Sequence, residues 1–143
     1  MFFDLNTKKL LGRIHKNSQV GLYTIPKVIQ NCKSDELKSE LTRQEREYKQ
    51  IFDASLALSG YSRLNSMSRL AKARTGAMIK MGNMSADSDS KQAEMMIMGS
   101  TAGIVDMLKC IKNSRNASEE ARQLAGDLIK TEEYNVTRLK RFL

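Results

Sequence analysis

Tryptophan is absent from this chain of 143 residues, proline and histidine occur once each, and cysteine occurs twice. A single proline, Pro26, leaves most of the chain free to be helical, since proline is the residue that breaks a helix interior. A single histidine, His15, gives no support to a Cys–His catalytic pair. Two cysteines, Cys32 and Cys110, make no disulfide framework and read as free thiols, buried or half-exposed. No apolar run reaches the ~18 residues of a membrane span, so none is expected. The start, Met1-Phe2-Phe3-Asp4, lacks the basic segment and apolar stretch of a secretory signal, which points to a cytoplasmic protein. Zinc-finger spacing and a glycine-rich phosphate loop are both missing.

What is present suits long helices. Leu, Met, Ala, Lys, Glu and Ser dominate, and unbranched side chains lose little freedom on a helix. The length suits one domain, 1–143, with a real core. The formal charge is +8, unevenly spread. Residues 1–33 hold six Lys/Arg against Asp4, and residues 34–59 are net negative by two. Residues 60–86 hold Arg63, Arg69, Lys72, Arg74 and Lys80 and no acid. Such an excess favours phosphate or anionic surfaces without choosing among them. Aromatic rings that would stack on bases are nearly missing from the basic stretch, with Tyr61 alone.

Four apolar stripes have helical spacing. Leu11, Ile14, Ser18, Gly21, Ile25, Val28 and Cys32 mark a helix over about 6–33, capped by Asn6 or Thr7 and kinked or short of one hydrogen bond at Pro26. A second, about 35–58, follows a cap at Ser34 or Asp35 and carries Leu37, Leu41, Gln44/Glu45, Tyr48, Ile51/Phe52, Ser55 and Leu58. Ser59 and Gly60 stop it. A weaker pattern, Met67, Leu70, Ala71, Met78, Met81 and Met84, covers about 66–84. Another helix, about 90–113, carries Ala93, Met96/Ile97, Ser100, Ile104, Met107/Leu108 and Ile111. The last, about 118–142, starts at a cap on Asn116 or Ser118 and carries Ala121, Leu124, Leu128, Glu132, Asn135, Leu139 and Phe142. His15 falls at the edge of its stripe, at the surface or half-buried. The methionines, nine in all, serve as core or partner-surface packing, with soft-metal binding the other reading.

A short hairpin, a segment of about 27 residues and a second hairpin together resemble the ferritin-like superfamily. More narrowly, the chain resembles short helical-bundle proteins of anaerobic Gram-positive bacteria. The resemblance implies an all-α, antiparallel four-helix bundle, with residues 60–86 as an additional helical crossover between the second and third helices of the bundle. Proteins of this class hold two metal ions with a Glu from each of two helices and Glu-x-x-His from each of the other two. Here the matching positions are Glu45-x-x-Tyr48 and Glu132-x-x-Asn135, which keep the carboxylate and lose the histidine. Ser18 and Gln19 stand on the first helix where a Glu is needed. Ser100 and Thr101 stand on the other, with Glu94 more than a turn away.

Mirroring each hairpin about its turn sets Gly21 level with Glu45, Ser18 and Gln19 level with Tyr48, Gly99 against Glu132 and Met96 against Asn135. Small residues thus face large polar ones, leaving room for a side chain, a water or an ion. Two carboxylates with weak co-ligands hold a divalent metal poorly. Glu45, Tyr48, Glu132 and Asn135 are the metal candidates, no cofactor is expected, and the alternative is a hydrogen-bonded layer with Ser18, Gln19 and Ser100 that fixes register. The favoured function is a non-enzymatic structural or protein-interaction module, acting with copies of itself or another protein. A metal-binding or storage protein centred on Glu45 and Glu132 is one alternative. A weak binder of nucleic acid or anionic surfaces through the basic helices is another.

Overall fold

The computed structural model describes residues 4–60 and 88–143. Four long helices make up nearly all of them: α1 Leu5–Ile29, α2 Asp35–Leu58, α3 Asp89–Lys112 and α4 Glu119–Leu139. A 3-10 turn, Lys140–Phe142, follows α4. The crossover pattern at 66–84, with Met67, Met78, Met81 and Met84, lies outside the described residues. Among the described residues no strand occurs, and no helix is long and apolar enough to cross a membrane.

Each helix starts on a side chain that accepts a backbone N–H left over by the first turn. Asp4 accepts from Thr7 N, Ser34 from Leu37 N, Ser88 from Lys91 N and Ser118 from Ala121 N. Asp4, not Asn6 or Thr7, is therefore the first cap. Thr7 is instead buried, and its Oγ1 accepts from Ser118 N at 2.8 Å. Acids follow the cap in α2, α3 and α4, where they complement the positive end of the helix. α1 ends at Ile29, four residues earlier than its stripe suggests. Pro26 has no N–H to bond the preceding turn, and only one further turn of helix follows it. α2 ends at Leu58 with Ser59 as its cap, and Gly60 turns the chain away with φ +68°, a conformation that glycine adopts without strain.

Polar ties fix the ends of the helices against one another. The Asp89 carboxylate accepts from Lys33 N at 2.7 Å and Ser34 N at 2.8 Å, which seats the start of α3 on the α1–α2 turn. Ser118 on Thr7 seats the α3–α4 turn on the start of α1. α1 packs mainly on α2, and α3 mainly on α4, while α4 also touches both α1 and α2. Leu10, Leu11, Ile14 and Ile25 of α1, Leu37 and Leu41 of α2, Met107 of α3 and Leu128 and Leu139 of α4 are fully buried between them. Each such side chain contributes roughly 1.5–3 kcal/mol by leaving water.

Both cysteines are buried free thiols. Cys32 lies in the α1–α2 turn and Cys110 in the last turn of α3, near the end of the bundle where α1 begins. Burial is the main cause pushing the Cys32 thiol up to about 11. Intact-mass analysis of air-oxidised monomer should show two free thiols and no intramolecular disulfide. Native protein should react with a bulky thiol reagent only at the rate of unfolding.

Candidate functional site

At the centre of the bundle the apolar stripes give way to polar side chains from all four helices. α2 presents Tyr48 and α4 presents Glu132, and the Tyr48 hydroxyl donates to Glu132 Oε2 at 3.0 Å. Both are buried, Tyr48 at 3% exposure and Glu132 at 1%. They fit because the facing helices carry glycine. A Cβ on Gly103 of α3 would lie 2.5 Å from Glu132 Oε2. A Cβ on Gly21 of α1 would lie 2.6 Å from the Tyr48 ring. Asn17 of α1 donates to the Gly103 carbonyl at 3.2 Å and ties α1 to the same level.

Burial, as the largest cause, pushes the Glu132 carboxyl up to about 8, and the charge of Asp106 adds to it. Tyr48 and Asn17 act in the opposite direction without winning. Glu132 is therefore a neutral acid at pH 7. Oε2 accepts from Tyr48, and Oε1 has no hydrogen-bond partner among the described residues. The Tyr48 hydroxyl is raised as well, first by burial and then by the nearby Glu132.

A second buried carboxylate, Glu40, behaves in the opposite way. It is 3% exposed and accepts from Arg43, from Gln44 Nε2 at 2.8 Å and from Arg138 Nε at 3.1 Å. Burial alone would raise its pKa, yet the bonds from Arg43, Gln44 and Arg138 outweigh it and hold Glu40 ionised below its ordinary value. Arg43 also reaches Glu47 at 2.7 Å and Asn135 Oδ1 at 3.0 Å. Asn135 thus links the ion cluster around Glu40 to the layer of Glu132, one helical turn along α4.

The sequence-stripe residues occupy this band in unequal ways. Ser18 is buried but bonds back to its own helix, to Ile14 O at 2.8 Å. Gln19 is half-buried and Ser100 is buried. Thr101 and Glu94 are exposed. Glu45 is half-buried and has no hydrogen-bond or ion-pair partner among the described residues. Leu37, Leu41, Gln44 and Tyr48 form the inward line of α2, so Glu45, one residue past Gln44, turns about 100° away from it. Gly21 faces Tyr48 instead of Glu45, and Gly103 replaces Gly99 opposite Glu132. In both helix pairs the register differs by three or four residues from a simple mirror, about one helical turn.

His15 is buried at 5% exposure, not at the surface. Its ring stacks on Phe52 at 4.2 Å, and Nδ1 lies 3.1 Å from Ser55 Oγ. Ser55 Oγ donates to Phe52 O, so its oxygen accepts from the imidazole and Nδ1 carries the proton. In that arrangement the histidine does not activate the serine. Burial lowers its pKa, which keeps the ring neutral.

Among the described residues no three His, Cys, Asp or Glu side chains converge on a metal-sized site. An open groove of about 410 Å³ separates α2 from α4, lined by Glu47, Gln50, Ile51, Ala54, Leu124, Asp127 and Thr131. It is bordered by side chains other than the Tyr48–Glu132 pair. The described residues thus form an all-α bundle of four long helices with a polar central layer. No family model, curated protein or solved structure matches the chain.

The neutral acid sets a pH dependence. A carboxyl raised from about 4.5 to about 8 binds more protons folded than unfolded in that window, so its stability is complete below pH 4.5 and lost as pH rises to 8. At 1.36 kcal/mol per unit the loss is on the order of 3–5 kcal/mol. Denaturant unfolding should show the wild type losing stability against Glu132→Gln between pH 5 and pH 9. Equal pH profiles would mean that Glu132 is ionised or exposed. Separately, Gly103→Ala should destabilise by about 1–3 kcal/mol through the clash with the buried carboxyl. Combining it with Glu132→Ala should cost less than the two changes added together.

Proposed function

We propose that this chain is a non-enzymatic, antiparallel bundle of ferritin-like design that works through its surface as a structural or interaction module. Its central layer sets helix register. The observation that carries the reading is the state of the two buried carboxylates. Glu40 is neutralised by two guanidiniums, and Glu132 is a neutral acid held by Tyr48. A divalent metal wants several ionised carboxylates or imidazoles pointing at one place. Here one carboxylate is already paired with cations, the other is protonated at pH 7, and Glu45 lies off the inward face. The ends of the helices favour the antiparallel order: α3 starts at the α1–α2 turn and finishes beside the start of α1.

The same layer accounts for retaining polar groups in the core at all. Tyr48 matched to Glu132 and Gly21 and Gly103 matched to both leave few alternative registers, a specificity gained at a cost in stability.

Elemental analysis of protein purified without chelator tests the reading. Iron, manganese, zinc and copper should each be well below one per chain, and adding them should leave the melting temperature unchanged. Stoichiometric metal that disappears in Glu132→Gln would overturn it in favour of a metal site.

A further inference from the structure

Among the described helices, α3 exposes the most large apolar side chains, Met98, Val105 and Leu108. Met98 is 67% exposed and Val105 46% exposed, and they lie two turns apart on one side. α1 runs beside this face: Arg13 pairs with Asp106 at 2.9 Å and Asn17 bonds Gly103 O. Helical spacing then brings Val20, 39% exposed, to the same outer surface. Lys16 on α1 stands level with Val105, between the Arg13–Asp106 and Asn17–Gly103 contacts, and Lys109 and Lys112 lie further along α3; all three lysines are exposed and without an acidic partner among the described residues. The acids on these faces are neutralised: Asp106 by Arg13, and Glu94 by Lys91 at 3.2 Å. α2, which barely touches α3 across the bundle, carries the net negative stretch.

We infer that the outer α1–α3 face docks on an anionic lipid bilayer, with Met98, Val105 and Val20 entering the interface and Lys16, Lys109 and Lys112 meeting the headgroup phosphates. Exposed apolar side chains beside unpaired lysines suit such an interface, where apolar burial and attraction to anionic lipid add together. Charge decides the occupant. A second copy would set like charges against each other, and a few apolar side chains fall far short of the ~20–30 residues a side of a stable dimer. Nucleic acid would use the lysines and leave the methionine and valines idle. The polarity of the bundle also orients it, since acidic α2 then faces away from the membrane. The inference rests on the bundle acting through its surface. Metal occupancy tests that premise, and vesicle binding tests this face, so the two fail separately.

The test is co-sedimentation of the full chain with vesicles of phosphatidylcholine alone or mixed with phosphatidylglycerol. Two variants accompany it, Met98→Ser with Val105→Ser and Lys109→Glu with Lys112→Glu. The wild type should bind the mixed vesicles and not the neutral ones, and each variant should bind roughly tenfold more weakly. The serine variant should melt at the wild-type temperature, because its side chains lie on an open face. Absence of binding to mixed vesicles overturns the proposal. So does full binding by the serine variant, which would mark plain attraction to any polyanion. A serine variant that melts several degrees lower would show that the chain covers this face itself. Wild-type dimers that the serine variant dissolves would assign the face to a second copy. Either result overturns the proposal.

Discussion

The hydrogen bond from Tyr48 to Glu132 is the constraint on which the rest of the bundle depends. It crosses from α2 to α4 and so joins the α1–α2 pair to the α3–α4 pair. Neither side chain fits unless the helix opposite it lacks a Cβ, so Gly21 on α1 and Gly103 on α3 belong to the same device. Four helices of similar apolar composition can slide past one another at little cost in burial. A buried acid and phenol that meet only at one offset remove that freedom. Any slip would leave a polar group unmatched in the core, at about 1–3 kcal/mol each.

Beside this neutral pair the charged cluster makes a contrast that the surroundings create. Glu40 and Glu132 are both almost fully buried. Glu40 meets two guanidiniums and a carboxamide and stays ionised. Glu132 meets a phenol, with Asp106 adding repulsion, and keeps its proton. Arg43 reaching Asn135 connects the two without placing a positive charge on Glu132. A guanidinium in hydrogen-bond contact with Glu132 would favour its ionised form and replace the pair by a buried ion pair.

Much of this was legible in the sequence, and the exceptions have physical causes. Helix positions followed from stripes such as Leu37, Leu41, Tyr48 and from capping residues such as Ser34 and Ser118. Tyr48, Glu132, Asn135, Ser18 and Ser100 lie on inward faces because three-and-four spacing alone fixes a helix face. Relative offset does not follow from spacing within one helix. α1 stops early at Ile29 and each turn takes several residues, so Gly103 replaced Gly99 and Gly21 met Tyr48. Glu45 stands next to the inward position that Gln44 takes, whereas Glu40 is buried on the inward side although its charge sets it apart from the apolar stripe. The signal for Glu40 was present: it lies one turn before Gln44 on the inward side, with Arg43 and Arg138 able to compensate a buried charge. His15 is buried because Phe52 and Ser55 on α2 offer it a ring and a hydroxyl, partners that its own helix does not reveal.

The protonation state of Glu132 carries the account of the core, and carbon-13 NMR of the glutamate side-chain carboxyls reads it directly. Assigned by comparison with Glu132→Gln, the Glu132 carboxyl should titrate near pH 8, well apart from the exposed glutamates. A midpoint at or below the ordinary value of about 4.5 would contradict the neutral acid, and with it the register layer built on Tyr48.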